Sequence, residues 1–396
     1  MTEWKEYKLG EVAEITSSKR IFYSEYVPNG VPFYRSKEII DLYNKRDVST
    51  ELFISEKRFK EISEKFGAPK EDDILLTSVG SLGIPYKVKP NDRFYFKDGN
   101  LTWFKDIDKE KLLPDYLMYW LSSGVGKQKL EEITIGSTQA AFTISGLKTI
   151  IIEIPSINTQ RQITSILTSL DDKIDLLRRE NATLEAMAET LFRQWFVEEA
   201  KEEWEERPLS KCIKLIGGGT PKTSEERFWN GNVCWLSGGD IANNHKSFVS
   251  SSEKSISEDG LNNSHAKLLP ENAMVVSARG TVGKYCLLSK PMAFSQSNYG
   301  ILPVFDNCYF FTYLLVAYHI DELQSAAYGS VFDTITTKTF EGVMVLLPKD
   351  TSYILEFEKM IAPYFKKMKN NNKQIHNLIQ TRDGLLEKLM SNEIKI

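Results

Sequence analysis

Residues Thr77–Gly83 read TSVGSLG, and two hundred positions later Ser277–Gly283 read SARGTVG. The glycine spacing is the same in both, and the shift is not isolated. Trp4-Lys5-Glu6-Tyr7-Lys8-Leu9 returns as Trp204-Glu205-Glu206-Arg207-Pro208-Leu209, again after 200 residues. Gly136-Ser137, followed by TQAAFTISGLKTIIIEIP, returns as Gly329-Ser330 followed by VFDTITTKTFEGVMVLLP, after 193. That second shift persists to Pro155 and Pro348. Anchors recurring in one order at nearly constant shifts mark an internal duplication, which constrains a fold more than any local propensity does. The 396-residue chain is therefore two copies of one unit of about 195 residues.

Each copy has two parts. The first mixes short β-rich runs with turn clusters: VPFYRS, DDILLTS and RFYFKDGNLTWF, then NVCWLSGGD, NAMVVSA and NYGILPVF. Alternation, β-branched and aromatic residues, and flanking Gly, Asn and Asp predict strands. Pro114-DYLMYWL and the run YFFTYLLVAYHI from Tyr309 to Ile320 predict helices packed against them. The expected class is α+β. Trp229 and Trp235 are read as core.

The second part is a heptad seam. After Pro155, apolar residues recur at Ile163, Leu167, Leu170, Ile174, Leu177, Leu184, Ala188, Leu191 and Trp195, with Asn181 filling the missing slot. After Pro348 the series is Ile354, Phe357, Ile361, Tyr364, Met368, Ile375, Leu378, Leu385 and Leu389, with Asn371 and Arg382 in the gaps. A seam kept over four or more heptads predicts a coiled coil, and an asparagine in it fits the use of a buried polar group to set register. A solvated turn at each asparagine is the plainer alternative. A helix of about 40 residues is about 60 Å long, too long for the inside of a compact domain.

Charge says how these helices are used. Residues 1–150 carry 23 basic and 23 acidic side chains, and 207–350 carry 13 of each; residues 151–206 carry 6 basic against 13 acidic, and 351–396 carry 8 against 5. Opposite signs favour pairing of the two helices within the chain, although the acidic stretch EEAKEEWEER also reads as a solvated linker. The expected division is 1–155 and 201–348 as heads, with 156–200 and 349–396 as helical regions. Two similar, non-identical heads on one antiparallel helix pair give a chain the pseudo-two-fold form of a dimer. That is what reading two different short DNA sequences across an unread spacer requires.

Several function classes are excluded or disfavoured. Cys212, Cys234, Cys286 and Cys308 are far apart and all in the second half, which fits reduced thiols in a cytoplasm rather than a metal or disulfide framework. Four scattered histidines add no metal site. The charged start MTEWKEYKLG has no apolar signal region, and no run is long enough for a bilayer. Gly217–Ser224, GGGTPKTS, lacks the Gly-Lys-Ser/Thr order of a phosphate-binding loop, because Pro221 precedes Lys222. It reads instead as a turn presenting Lys222 and Thr223 to a DNA backbone. No Asn-Pro-Pro-Tyr or Asp-Pro-Pro-Tyr occurs, nor a nuclease arrangement, so no catalytic centre is expected in this chain.

The blocks ETLFRQWF at Glu189–Phe196 with Trp204, the terminal LLEKLMSNEIKI, GGGTPKTS…FWNG…WLSGGDI, and the Gly-Ser to Pro to helix junctions together resemble one family. The chain is similar to the specificity subunit of type I restriction–modification systems, over essentially its whole length. The resemblance implies two target-recognition domains, two helical regions in an antiparallel coiled coil, and no catalysis by the subunit itself. It implies double-stranded DNA as target, read as a two-part gapped sequence with adenines methylated at N6. It also implies two methyltransferase subunits binding S-adenosylmethionine, and restriction subunits using ATP and Mg. One departure stands out. The first junction, Pro155-SINTQRQI, has the Gln160-Arg161 pair of the family; the second, Pro348-KDTSYILEF, lacks it, which questions equal docking of methyltransferase on both helical regions.

Candidate DNA contacts follow. Arg279, before Gly280, can take guanine O6 and N7 in bidentate fashion, with glycine letting backbone approach a groove. Lys222, Arg227, Lys246 and Lys284 are candidates for phosphate contacts in the second head; Lys19, Arg20, Arg35, Lys37, Lys57 and Arg58 are their counterparts in the first. The amides of Gln139, Gln296 and Asn298 are able to read adenine edges. Each of these also reads as an ordinary surface group. A sequence pI near 5.8 is low for a DNA binder, so partner subunits are expected to supply much of the phosphate neutralisation. Two other readings remain: a scaffold whose heads bind protein, and a diverged copy that holds methyltransferase without specifying a site.

Overall fold

The computed structural model describes residues 4–46, 48–136, 140–328 and 333–394. Ser137, Gln139, Gly329 and Ser330 therefore lie outside the described residues. The chain divides into two units, Met1–Lys173 with Leu378–Ile396, and Ile174–Asn377. Each unit contains one head and part of both long helices.

In the first unit, strand Lys5–Lys8 pairs antiparallel with Ile151–Ile154, Lys5 lying opposite Ile154. A four-stranded sheet runs in the order Glu14–Thr16, Leu101–Lys105, Ile74–Thr77, Pro85–Lys87. Ile74-Leu75-Leu76-Thr77 is buried on both faces, as an unbroken apolar run requires. A second four-stranded sheet orders Tyr26–Val27, Phe53–Ile54, Val31–Tyr34 and Tyr95–Phe96, the last two strands parallel. Helix Pro114–Ser122 starts on its proline, whose missing N–H costs nothing at that position.

The second unit repeats this element by element. Glu205–Pro208 pairs antiparallel with Met344–Leu347, and Glu205 lies opposite Leu347. The shifts of 200 and 193 thus meet in one two-stranded ribbon, and the same ribbon closes both heads. A five-stranded sheet (Ile213–Gly217, Asn298–Pro303, Met274–Ser277, Tyr285–Leu288, Phe248–Val249) adds one edge strand to its counterpart. The other sheet orders Lys254–Ile256, Trp229–Leu236, Met292–Phe294 and Leu268–Leu269, again with one parallel pair. Helix Tyr309–Tyr318 is the core helix of this head, with Phe311 to Val316 all buried. Among the described residues, no helix is long and apolar enough to cross a membrane.

The repeated glycines have a conformational cause. Gly80 and Gly83 have φ of 81° and 76°, and Gly280 and Gly283 of 75° and 78°. Both pairs turn a strand back on itself; the Gly83 N–H donates to the Thr77 carbonyl, and Gly283 to Ser277, each at 2.9 Å. The left-handed region admits glycine without the penalty a Cβ meets there.

The long helices span Ile157–Arg193, followed by a π-helical turn at Gln194–Glu198, and Thr351–Met390. They run antiparallel. In the second unit Asn181 meets Asn371, while Trp195 meets Tyr353 with ring centroids 4.9 Å apart. In the first, Asp171 pairs with Arg382 at 2.7 Å, and Ile163 and Leu167 share a core with Leu386, Leu389 and Met390. Every expected seam residue is buried or half-buried: fully at Ile163, Leu167, Ile174, Leu177, Ala188, Ile354, Phe357, Ile361, Met368, Asn371 and Leu389, and partly at the other positions. Phe192, Phe196 and Phe365 are buried too. The apolar face is wider there than a two-position seam because the helices also pack on the head helix, with Phe310 stacked on Phe365 at 4.5 Å.

Trp235 is buried, whereas Trp229 is half-buried with its ring 5.3 Å from that of Trp235. All four cysteines are free thiols; burial pushes Cys212 up to about 11 and Cys308 up to about 12.

Candidate nucleic-acid interface

The hairpin at Gly280 carries two of the second head's basic groups, Arg279 and Lys284, and Lys246 lies beside it, its N–H donating to the Tyr285 carbonyl. Arg279 and Lys284 are exposed on its two sides, and the Thr281 hydroxyl donates to the Gly238 carbonyl at 3.2 Å. This seats the hairpin on helix Gly238–Asn243, whose first turn is closed by a capping box between Ser237 and Asp240. His245 lies beside it, depressed below the usual imidazole range by burial and then by the Lys284 charge. Lys246 donates to Glu189 of the central helix at 2.8 Å; burial pulls its ammonium down, but the hydrogen bond and charge of Glu189, with the charges of Glu185 and Asp321, raise it on balance.

The eleven candidate cations fall into two sets. Five are engaged by carboxylates: Arg20 with Asp98 at 2.8 Å, Arg35 with Glu38 at 2.9 Å, Arg58 with Glu25 at 2.7 Å, Arg227 with Glu225 and Asp259 at 3.3 Å each, and Lys246 with Glu189. The remaining six, Lys19, Lys37, Lys57, Lys222, Arg279 and Lys284, are exposed and face no carboxylate within 4.0 Å among the described residues. These six keep their charge available to an anionic ligand. Surface pairs of the first set are weak enough to exchange partners.

Two expected features, the glycine run and Asn298, take a different place. Two glycines of GGGTPKTS serve close packing: a Cβ on Gly218 would overlap the Ser295 carbonyl, and one on Gly219 the His265 backbone. Lys222 and Thr223 remain exposed at the turn beyond them. Of the three amides, Gln296 is exposed; Asn298 is buried, with its Nδ2 donating to Ser295 Oγ at 2.8 Å. Gln139 lies outside the described residues.

The junction pair also acquires a physical role. Gln160 is fully buried; its Oε1 accepts from the Leu113 N–H at 2.9 Å, and its Nε2 donates to the Lys111 and Pro155 carbonyls. It thus caps the start of head helix Pro114–Ser122 from the long helix. Arg161 is exposed. At the second junction, the residue 193 positions on is Tyr353, packed on Trp195, Phe196 and Trp204. There Glu358 does the capping, accepting from the Phe310 and Phe311 N–H groups at 3.2 and 2.7 Å. Burial pushes its carboxyl up to about 7 against those two hydrogen bonds. Sequence reasoning missed Glu358 because an acidic residue at a half-exposed helix position carries no signal by itself. Among the described residues, no cluster of His, Cys, Asp or Glu is placed to hold a metal ion.

A family model described as "Type I restriction modification DNA specificity domain" matches twice, at residues 1–186 and 201–381. The chain is 26% identical over its whole length to the type I restriction enzyme MjaIX specificity subunit of Methanocaldococcus jannaschii, covering 94% of that protein. It is 25% identical to the HindI specificity subunit of Haemophilus influenzae, over the whole of both chains. Among solved structures, the S subunit of a type I restriction–modification system from M. genitalium aligns over 98% of this chain and 96% of its own, with TM-score 0.59 and 16% identity, a likeness of fold.

Proposed function

The chain belongs to the type I restriction modification DNA specificity family, and on that premise we propose that each head reads one part of a two-part, gapped DNA target. It is a specificity subunit. The reading continues that it performs no chemistry, and that in the cytoplasm it positions two methyltransferase subunits and the restriction subunits, which bring S-adenosylmethionine, ATP and Mg. The observation that carries it is one backbone presenting two chemistries. The hairpin of the first head holds Val79 where that of the second holds Arg279, on glycines of matching positive φ. A shared scaffold with different side chains at the same place gives two recognition specificities from one architecture.

Arg279 is assigned a guanine edge; Lys222 and Lys284, with Lys19, Lys37 and Lys57 in the first head, are assigned phosphates. The near-neutral heads make the isolated subunit a weak binder and the assembled complex a tight one. The test is modified-base sequencing of a methylation-free host expressing the chain with its cognate methyltransferase subunit. The expected result is a two-part motif, adenine-methylated, with a fixed gap. Arg279→Ala relaxes one position of the second part only, at a cost of about 1–3 kcal/mol in discrimination. A stable complex that yields no motif turns the reading toward a scaffold.

A further inference from the structure

The two heads build the same helix start from different residues. Tyr34 and Leu236 end matching strands, lying opposite Phe96 and Phe294 in parallel. The next residue caps a helix in each head: Arg35 before Ser36–Tyr43, and Ser237 before Gly238–Asn243. An acid follows three residues later in both, Glu38 and Asp240. These helices pack on the glycine hairpins alike. Ile39 shares a core with Leu75 and Tyr86, as Ile241 does with Val275 and Cys286. In the second head a Cβ on Gly238 would stand 3.5 Å from the Ser277 and Thr281 hydroxyls and 3.9 Å from the Arg279 carbonyl oxygen. The cap turn and the arginine of the hairpin are therefore neighbours. In the first head the hairpin has Val79, and it is the cap turn that has the arginine.

Arginine is a poor residue for this position. A helix start favours serine, whose oxygen accepts one of the unpaired N–H groups, whereas a guanidinium has donors only. Ser237 Oγ accepts from the Asp240 N–H at 3.2 Å, and the helix after Arg35 has no side-chain cap. Nor does the acid call for a cation: Asp240 is satisfied by the Ser237 N–H and hydroxyl and by the Glu253 N–H. A local preference obeyed in one copy and broken in the other marks a place that serves something besides folding. Arg35 is also held in place. Glu38 is fully buried; its Oε2 accepts from the Arg35 N–H at 2.7 Å and its Oε1 from Nη2 at 2.9 Å. The Arg35 side chain nevertheless stays 46% exposed. One donor of the guanidinium is thus spent on orientation, and the fork keeps others for a ligand. Fixing the fork beforehand lowers the entropy lost on contact.

We infer that Arg35 reads a guanine edge in the first part of the target, with Glu38 as its positioning residue. This rests on the functional reading above. Each head then brings one arginine to the junction of cap turn and hairpin, from the cap turn in the first and from the hairpin in the second. Guanine is the base that presents two acceptors, O6 and N7, to the guanidinium fork. A different approach to the same groove lets two copies of one scaffold read different sequences.

The experiment uses the complex of full chain and methyltransferase subunit. Its motif is mapped by modified-base sequencing. In binding duplexes, 7-deazaguanine, which lacks the N7 acceptor, then replaces each guanine of the first part in turn. The wild-type complex is expected to lose about tenfold in affinity at one of these guanines. Arg35→Ser restores a serine cap, and so removes the guanidinium without weakening the helix start. It is expected to relax that one position of the motif, to be indifferent to 7-deazaguanine there, and to leave the second part unchanged. Glu38→Gln relaxes the same position to a lesser degree, whereas a general folding defect lowers methylation without changing the motif. A first part without a guanine, or an Arg35→Ser complex with the wild-type motif, overturns the assignment and leaves the function standing. So does an Arg35→Ser complex weakened equally on all sequences, with a salt slope lower by about 0.9, which is the mark of a phosphate contact. A Glu38→Gln complex with wild-type discrimination overturns the positioning role. A wild-type complex that methylates nothing overturns the functional reading, and the assignment with it.

Discussion

Glu185 sits on the central helix, 9% exposed, accepting from the Tyr313 hydroxyl at 2.6 Å. Burial pushes its carboxyl up to about 7, against the Tyr313 hydrogen bond and the Lys246 charge, while Glu189 adds to the rise. The folded state thus holds a proton that the unfolded chain releases near the ordinary carboxylate value of 4.5. Below that value both states are protonated and the group is neutral for stability. As pH rises from there to about 7 the unfolded state gains, and stability falls by an amount on the order of 3 kcal/mol. Glu358 acts in the same direction. Glu185→Gln keeps an acceptor for Tyr313 and removes the titration. Denaturant melts of the full chain at pH 5 and pH 8 are expected to show the variant losing less stability across that interval than wild type. Equal losses would mean that Glu185 does not hold its proton in the folded chain. Nothing in the sequence marks this residue: it is one of many acids on an acidic helix, and only the approach of Tyr313 from the head buries it.

At the scale of elements, the asparagines of the seam act across the pair. Asn371 is fully buried and donates to Asn181 and Glu180, each at 2.9 Å; Asn181 donates to Asn372 at 2.7 Å, and Asn372 to Ser247 of the head at 2.8 Å. The hydrogen bonds run from helix to helix to head, so they hold both register and rotation. Asn371→Leu leaves the half-buried acceptors of Asn181 and Glu180 without that donor and is expected to cost about 1 kcal/mol. Adding Asn181→Leu recovers part of that, because two apolar side chains then meet. Thermal melts of both single variants and the double give the coupling energy. Additive losses would show that the two asparagines do not work as a pair. The seam was legible because a 4-3 spacing over many heptads has few other causes. The network behind it was not, since Asn372 and Ser247 are 125 residues apart and meet through the fold alone.

For the whole molecule, the division into two units has a consequence for exchange of heads. The core of the first unit includes Leu117, Trp120 and Leu121 from the head together with Ile163, Leu167, Leu386 and Leu389 from the helices. Tyr119 donates to Asp171 at 2.7 Å, and the Gly124 N–H to Glu387 at 2.8 Å. A transplanted segment 1–155 therefore changes the first part of the methylated motif alone if it brings an apolar helix and a tyrosine that match these helix positions. A segment without them is expected to yield an unstable subunit rather than a new specificity. Methylation mapping and solubility of the two kinds of chimaera distinguish these outcomes. By itself the sequence determined the duplication, the strand-rich heads and the two long seams, because periodicity and repeat shifts are properties of order along the chain. The tertiary structure decided the rest: which cations are neutralised by carboxylates, why the hairpin glycines and Gly218 and Gly219 are glycines, and how Gln160 and Glu358 cap a head helix from outside it. Those depend on distances between groups far apart in sequence, and burial and hydrogen bonding act through distance.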